Sequence, residues 1–324
     1  MKAVLSTPSF FESPRAASLL TKSELDKVSR FDLAVVEKGV RGGVQFLERE
    51  EFPASLASLD FPPAVLTAVG DTSALQRPTV AIVGTRGASG YGKAVATKFA
   101  EGLASHGITI VSGGALGIDS ASHRGALNVG GRTVAVMSGG LDNLYPTINR
   151  TLFESIRQSG AWVSGYALGI SAGHAGRLIE RNSLIAALSH AVLIVEAPLD
   201  SGSIHTANAA AEMGRPVYVV PANIDQFSFA GSHNLIRNGG TLVTHPAQIL
   251  EELNIQAEEG LGPSLEHLSR EEKAVYEALS ATPIPETKIA ELTGFPAEEI
   301  MVHLTMLELE GLVLRDHGGV RRKL

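Results

Sequence analysis

The chain has 324 residues, a formal net charge of −7 and 44% hydrophobic residues, a globular composition that excludes a disordered or fibrous protein. It contains no cysteine, which excludes disulfides, thiolate metal sites and a cysteine nucleophile. No apolar run reaches the ~20 residues that cross a bilayer, and Pro8, Glu12 and Pro14 interrupt the region where a signal peptide would be apolar. We therefore expect a cytoplasmic protein with no membrane partner.

The charge is distributed unevenly along the chain. Residues 78–250 carry eleven Lys and Arg against nine Asp and Glu, whereas residues 263–324 carry seven against eleven. A polyanionic partner would therefore have to bind a local basic groove in the middle of the chain.

Residues 1–40 are predicted to form a short helical segment. Thr21 and Glu24 have the spacing of a capping box. A helical pattern then continues to Lys38, and Gly39 is the expected stop.

Residues 41–255 alternate short apolar runs with longer amphipathic stretches. Runs rich in Val, Ile and Leu are typical of strands buried on both faces, and the stretches between them are typical of crossover helices. The pattern predicts an α/β domain with a doubly wound, mostly parallel sheet, whose ligands bind at the carboxyl ends of the strands. The predicted strands are residues 80–83, 108–111, 133–137, 161–163, 191–195, 217–220 and 241–243.

A linker is predicted at residues 256–263, which mix Glu, Gly and Pro. Three helical patterns and a hairpin follow within residues 264–324, which is a winged-helix-like layout. The third helix contains glutamates and no Lys or Arg, which favours a protein-contact or stabilising role over reading of duplex DNA. The helices are predicted at residues 270–279, 286–292 and 297–310, and the hairpin strands at 312–315 and 320–323.

A loop with four glycines follows the first predicted strand, within residues 80–93. Backbone N–H groups at a helix N-terminus hold anions, and Arg86 adds a planar guanidinium for phosphate oxygens. The alternative is a turn that only allows close packing. Ala94 stands where an ATP-binding loop needs Ser or Thr, and the dinucleotide fingerprint is absent. The loop therefore argues against an ATPase and an NAD enzyme.

Three later strand ends carry similar turns. Residues 112–119 form a second glycine-rich turn, whose amides we expect to be free, with Asp119 as the N-cap of the next helix. Residues 138–146 form a third turn. Residues 201–206 place hydroxyl groups around a glycine, which suits either an anion or simple N-capping.

Three charged residues near these turns are candidates for the site. Glu196 is interpreted as a partner that orients Arg181 or a serine hydroxyl, with a catalytic role as the alternative. Arg177 and Arg181 have i, i+4 spacing and would share a helix face. A solvated surface is the ordinary explanation for such a pair.

The order and content of these motifs resemble the DprA (Smf) family. The resemblance covers residues 46–250 and implies an extended Rossmann fold that binds and protects single-stranded DNA. It also implies a homodimer that loads the RecA recombinase onto that DNA during natural transformation, without known catalysis or a cofactor. The matching segments are G-T-R-x-x-S-x-Y-G from Gly84, S-G-x-A-x-G-I-D from Ser112, G-G-L-D-x-x-Y-P from Gly139, R-N at Arg181, E-A at Glu196 and S-G-S-I-x-T-A from Ser201.

Arg86 matches the loop arginine of the family and is the first expected phosphate contact. Arg181 and Asn182 match the R-N pair of a second DNA-facing segment. No catalytic residue and no metal ligand is predicted. The residues predicted to bind DNA or phosphate are Gly84, Thr85, Arg86, Ser89, Ser112, Gly113, Gly114, Arg177, Arg181, Asn182, Ser201, Gly202 and Ser203.

The chain departs from the family pattern at five positions. The family usually has an Arg where this chain has Leu116 and a Phe-Pro pair where it has Leu178 and Ile179. It usually has a basic residue at the position of Ser183 and a Glu at the position of Gly165. These departures remove charge and an aromatic ring from the expected groove. The resemblance therefore implies an affinity or a site size different from the family norm.

Two other functions use the same phosphate-binding turns. One is a nucleotide-processing hydrolase of the LOG-type phosphoribohydrolases, with Glu196 or Asp119 as the acid or base, although their P-G-G-x-G-T-x-x-E loop is absent here. The other is a binder of a free nucleotide or another small phosphorylated ligand.

Overall fold

The structure is a computed structural model that describes residues 39, 42–47, 49–58, 63, 66–172, 174–255, 268–280, 283–316 and 319–322. The predicted N-terminal helix and the predicted linker lie outside the described residues. The chain divides into two compact units, Met1–Gln256 and Ala257–Leu324. No helix in the described ranges is long and apolar enough to cross a membrane.

One sheet organises the first unit. Its seven strands from Thr79 onward run parallel, and the two strands before them pair antiparallel at one edge. The predicted α/β class with a mostly parallel sheet is therefore confirmed. The strands are β1 (Gln45–Leu47), β2 (Leu66–Gly70), β3 (Thr79–Val83), β4 (Thr109–Ser112), β5 (Thr133–Met137), β6 (Gly160–Ser164), β7 (Ala191–Ile194), β8 (Val217–Val219) and β9 (Thr241–Leu242).

The strand order is β1-β2-β6-β5-β4-β3-β7-β8-β9. The chain winds from β3 through β6 in one direction and from β7 through β9 in the other. The direction reverses between β3 and β7, and ligands of such sheets bind near a reversal of this kind, at the carboxyl ends of the strands. The topology thus fixes where a ligand site should lie.

All seven predicted strands are present, as β3 to β9. The sequence did not predict β1 and β2. Between β2 and β3 the chain forms only a short 3-10 helix, Thr72–Gln76, so the alternation of strand and crossover helix that identifies a parallel sheet begins at β3.

Helices cover both faces of the sheet because both faces are apolar. Val80 and Ile82 of β3 belong to one buried cluster, whereas Ala81 and Val83 belong to the other. This alternation is the two-residue period of a strand buried on both sides. The helices of this unit are α1 (Gly90–Ala104), α2 (Ile118–Asn128), α3 (Arg150–Ser159), α4 (Ala175–Ala187), α5 (Gly202–Glu212), α6 (Ala230–Arg237) and α7 (Pro246–Glu252).

The second unit contains the three predicted helices and the predicted hairpin. Ser269 and Glu272 form a capping box at the start of the first helix, and the two strands pair antiparallel. Buried residues from all three helices form its core, including Val275, Ile289 and Ile300. The elements are α8 (Arg270–Ala278), α9 (Glu286–Thr293), α10 (Ala297–Leu309), β10 (Val313–Asp316) and β11 (Gly319–Arg322).

Candidate nucleic-acid interface

Three strand-end turns meet in one crevice at the carboxyl edge of the sheet. The turn after β3 contributes Arg86, the turn after β4 contributes Gly113 and Leu116, and the turn after β5 contributes Tyr145. Helix α4 contributes Arg181. The structure therefore brings the two arginines that the sequence singled out to the same small cavity.

The two arginines differ in exposure and electrostatics. The side chain of Arg86 is exposed and has no hydrogen bond or ion pair with any residue in the described ranges. Burial lowers the pKa of Arg181, the Asp119 carboxylate opposes this, and the positive charge of Arg86 lowers that pKa further. Two cations that repel each other across a crevice make it a favourable place for an anion.

Glu196 holds the turn that carries Arg86. The backbone oxygen of Glu196 accepts a hydrogen bond from the Thr85 N–H at 2.7 Å. Its Oε2 accepts two more, from the Ser89 N–H at 3.0 Å and the Ser89 Oγ at 2.7 Å. Ser89 in turn caps α1, because its Oγ accepts from the Gly92 N–H. Glu196 therefore orients a serine hydroxyl, one of the two partners the sequence suggested, and not Arg181.

Two glycines allow this turn to pack closely. A Cβ at Gly92 would lie 2.0 Å from Glu196 Oε2. Gly117 has φ of +79°, and a Cβ there would lie 2.3 Å from the Thr85 carbonyl oxygen. Any side chain at either position would separate the Arg86 turn from its neighbours.

Asp119 uses amides of the second turn internally. Its Oδ2 accepts hydrogen bonds from the Gly113 N–H at 3.2 Å and the Ala115 N–H at 3.3 Å. The prediction that these amides are free for an anion is therefore wrong. The prediction that Asp119 is the N-cap is also wrong, because Gly117 occupies that position and Asp119 lies in the first turn of α2.

Ser112 and Gly114 also have internal roles. The Ser112 side chain is fully buried, and its Oγ donates to the Ile82 carbonyl oxygen at 2.7 Å. The Gly114 carbonyl accepts from Asn149, and a Cβ at Gly114 would lie 2.5 Å from the Phe153 ring. The structure corrects the assignment of the Ser112 side chain to phosphate binding, because a group buried under the sheet edge does not meet a ligand.

Helix α4 holds its polar residues inside the unit. Arg177 is only 2% exposed and Arg181 6% exposed, so they do not form the solvated surface that is the usual explanation for such a pair. Arg181 Nη1 donates to the carbonyl oxygens of Gly113 and Val136. Arg181 thus anchors the ends of β4 and β5, and its charge is partly offset by the Asp119 carboxylate.

The turn at Ser201 is connected to α4 but does not line the crevice. Asn182 Nδ2 donates to the Gly202 carbonyl oxygen at 2.9 Å. Ser201 caps α5 by accepting from the Ser203 N–H, as the simpler explanation for this turn predicted. Phosphate binding by Asn182, Ser201, Gly202 and Ser203 stays a prediction, as it does for Gly84, Thr85, Arg86 and Ser89.

Two residues that the sequence did not single out help to shape the crevice. Tyr145, 46% exposed, lines it, and the buried Asn149 donates to the Gly114 carbonyl oxygen and to Ser120 Oγ. Tyr145 lies within the G-G-L-D-x-x-Y-P segment, and Asn149 follows that segment closely. The segment was therefore the signal that could have found them.

The buried residue His123 should make stability depend on pH. Its Nδ1 lies 2.7 Å from Thr133 Oγ1. Burial, with a smaller contribution from Arg181, lowers its pKa from 6.5 to about 3. Between pH 6.5 and about pH 3 the unfolded chain therefore binds a proton at His123 that the folded chain does not. The contribution of His123 to stability is fully present above pH 6.5 and is lost as the pH falls towards 3.

We expect His123 to contribute a loss of about 1.4 kcal/mol in unfolding free energy between pH 7.5 and pH 5.5. The His123→Asn variant should lack this component of the pH dependence, whatever its stability at pH 7.5. Urea unfolding of both proteins at the two pH values measures the difference. Equal pH dependence in the two proteins would mean that the pKa of His123 is not lowered in the folded state.

No group of three or more His, Asp or Glu side chains that could hold a metal ion occurs among the residues described.

Comparisons with known proteins identify the family of this chain. The family model of DNA recombination-mediator protein A matches residues 43–254, and the DprA winged helix domain matches residues 259–319. A putative DNA processing protein DprA from Mycobacterium tuberculosis is 39% identical over 77% of this chain. The match covers 66% of that relative's length. Protein Smf of Escherichia coli is 37% identical over 83% of this chain and 74% of its own length.

Two solved structures share the fold. DNA processing protein A from Streptococcus pneumoniae superposes with a TM-score of 0.65 and 32% identity, covering 73% of this chain and 84% of that one. DNA processing protein A from Helicobacter pylori, whose structure concerns its single-stranded DNA binding mode, gives a TM-score of 0.60 and 33% identity over 65% of this chain and 95% of that one. With one family model covering most of the first unit, this chain belongs to the DNA recombination-mediator protein A family, also called DprA or Smf.

Proposed function

We propose that the first unit binds the sugar-phosphate backbone of single-stranded DNA in the crevice lined by Arg86 and Arg181. The observation that carries this proposal is the exposed guanidinium of Arg86 in the crevice where the turns after β3, β4 and β5 meet. Its charge raises the cost of keeping Arg181 protonated nearby. A phosphate at this place relieves the repulsion and accepts charge-assisted hydrogen bonds.

The rim of the crevice favours a single strand over a duplex. Leu116 and Tyr145 are partly exposed there, and Leu178 lines the wall. Apolar and aromatic surface of this kind contacts unpaired bases, which a duplex keeps stacked inside. Because aromatic residues make up only 5% of the chain, phosphate contacts should dominate, and binding should depend little on base sequence.

The wider role that we propose rests on family membership. The relative from Helicobacter pylori is described for its single-stranded DNA binding mode, and the others are DNA processing proteins. We infer that this chain protects incoming single-stranded DNA in the cytoplasm during natural transformation and loads RecA onto it. It would act as a homodimer and without catalysis.

Binding of labelled oligo-dT, followed by fluorescence anisotropy, tests the proposal. An oligomer of about 30 nucleotides should bind with a slope of log K against log salt near −3, which corresponds to four or five phosphates. AMP and NAD should compete only at much higher concentration. Tight binding of AMP with no binding of the oligomer would instead support the small-ligand function.

RecA loading needs a separate assay. RecA filament formation is followed on strands that are first coated with a single-strand-binding protein, with and without this chain. We expect faster filament formation with the chain present. No acceleration, together with normal oligo-dT binding, would contradict RecA loading and leave the DNA-binding proposal intact.

A further inference from the structure

Helix α10 of the second unit has apolar residues on two opposite sides. Ile300, Leu304 and Leu307 are fully buried in the core. Val302 and Leu309, which are 61% and 78% exposed, lie on the opposite side because a helix advances 100° per residue. A helix of a small domain normally has polar residues on that outer side. Packing within the unit therefore does not explain the exposed apolar residues of α10.

Two methionines extend this outer surface. Met301 and Met306 are 43% and 44% exposed and lie beside Val302 and Leu309 on the helix. We call these four residues the α10 stripe. From Val302 to Leu309 the stripe runs about 10 Å, or two helical turns, which matches the contact length of one packed helix. Unbranched methionines adapt to differently shaped partners.

The borders of the stripe are acidic. Glu298 and Glu299 are exposed at its N-terminal end, and Glu310 is exposed just beyond its C-terminal end. Residues 297–310 include no Lys or Arg. The acidic residues at the two ends of the stripe therefore oppose the approach of a nucleic acid phosphate. They equally oppose packing against the same helix of a second copy.

The nearby basic residues do not reverse this charge. Arg315 forms ion pairs with Glu286 and Glu308, each at 3.2 Å, and its guanidinium also contacts Met301 Sδ at the side of the stripe. Arg322 stacks over the Tyr276 ring at 4.6 Å and donates to the carbonyl oxygens of Tyr276 and Glu277. The hairpin arginines Arg315 and Arg322, which could otherwise contact a DNA backbone, are therefore engaged within the unit.

We propose that the α10 stripe binds an amphipathic helix of a partner protein, with apolar residues at i, i+3 or i+4 and i+7 and with Lys and Arg on its flanks. The apolar side chains would cover the stripe, and the basic flanks would face Glu298 and Glu299. This is the helix-on-apolar-surface mode of recognition, with charge selecting the partner. The proposal does not rest on DNA binding by the first unit.

Two designed peptides test the proposal with the full chain. The first is a labelled helix of about 16 residues with leucines at i, i+3, i+4 and i+7 and Lys or Arg on both flanks. The second has Glu at every Lys and Arg position. By anisotropy at low salt, we expect the basic peptide to bind at least about tenfold more tightly than the acidic one. Equal affinities would overturn the proposal.

Substitutions in the chain locate the binding surface. Val302→Glu combined with Leu309→Glu should weaken binding of the basic peptide at least about tenfold. The matched control is Leu292→Glu on α9, where the leucine is 57% exposed and outside the stripe, and it should change binding less than about twofold. Glu298→Gln with Glu299→Gln should weaken binding and reduce its salt dependence.

Three further measurements test for unfolding of the variant, for a second copy on the stripe and for DNA on the stripe. Circular dichroism should show a folded double variant, and if it does not, Leu309→Glu alone at the last residue of α10 takes its place. Light scattering should give the same mass for wild type and variant, because a fall in mass would mean that a second copy covers the stripe. Duplex DNA binding should be unchanged, because a loss would mean that the surface contacts DNA. A fall in mass, a loss of duplex DNA binding, or an equal loss of peptide binding in Leu292→Glu would each contradict the proposal.

Discussion

Arg86→Ala is expected to weaken oligo-dT binding at least about tenfold at low salt, because a charge-assisted contact to phosphate contributes about 1.5–3 kcal/mol. The slope of log K against log salt should become flatter by about 0.7, the value of one phosphate on a single strand. The fold should be unaffected, since the side chain is exposed. Anisotropy titrations at several salt concentrations measure both changes.

Arg237→Ala is the matched control for this variant. Arg237 is also exposed, but it ends α6 and precedes the amino end of β9, whereas Arg86 follows the carboxyl end of β3. The substitution removes the same charge from the protein without touching the crevice, so affinity and slope should stay close to wild type. If both variants flatten the slope equally, the effect reflects net charge, and Arg86 does not contact the phosphate.

Glu196→Ala is expected to lower the free energy of unfolding by about 1–3 kcal/mol, because it leaves the Ser89 N–H without its acceptor in a buried place. It should also weaken oligo-dT binding about tenfold, because the Arg86 turn loses the carboxylate that fixes it. Urea unfolding and anisotropy titration measure the two effects.

Glu196→Gln distinguishes the hydrogen-bonding role of Glu196 from a role of its negative charge. A glutamine keeps a carbonyl oxygen that can accept from both the Ser89 N–H and Ser89 Oγ, so stability and DNA affinity should be mostly restored. If Glu196→Gln binds DNA as weakly as Glu196→Ala, the negative charge of Glu196 matters by itself, and the positioning role of this residue is wrong.

The parallel sheet could be predicted because each buried strand reads as an uninterrupted apolar run. The run Thr79–Val83 is buried at every position, and its alternate residues enter two different clusters. Strand β2 is just as buried along most of its length, but it belongs to an antiparallel edge with no crossover helix beside it. A short apolar segment without that context does not indicate which element it forms.

Of the candidate site, only the position of its glycine-rich turns could be predicted from the sequence. Glycine-rich strand ends indicate where a crevice forms, and three of them do meet beside Arg86. Sequence does not show which amides already have a partner. Asp119 could be recognised as an acidic residue at a helix start, yet its bonds to Gly113 and Ala115 depend on how the turn folds back over α2.

The burial of Arg181 illustrates the same limit. An i, i+4 pair of arginines does not indicate whether the side chains are buried, and on this helix Arg177 and Arg181 are buried whereas Ile179 between them is exposed. Arg181 bonds to the carbonyl oxygens of Gly113 and Val136 at the ends of β4 and β5. Only the tertiary arrangement separates this buried position from the exposed position of Arg86.

Hydrogen–deuterium exchange of the full chain, with and without saturating oligo-dT, shows whether a single strand occupies the Arg86 crevice. We predict slower exchange in residues 84–90, which hold Arg86 and the start of α1, and in residues 138–146 on the facing wall. We predict no change in residues 297–309. Unchanged exchange at residues 84–90 together with protection confined to the second unit would contradict DNA binding in this crevice.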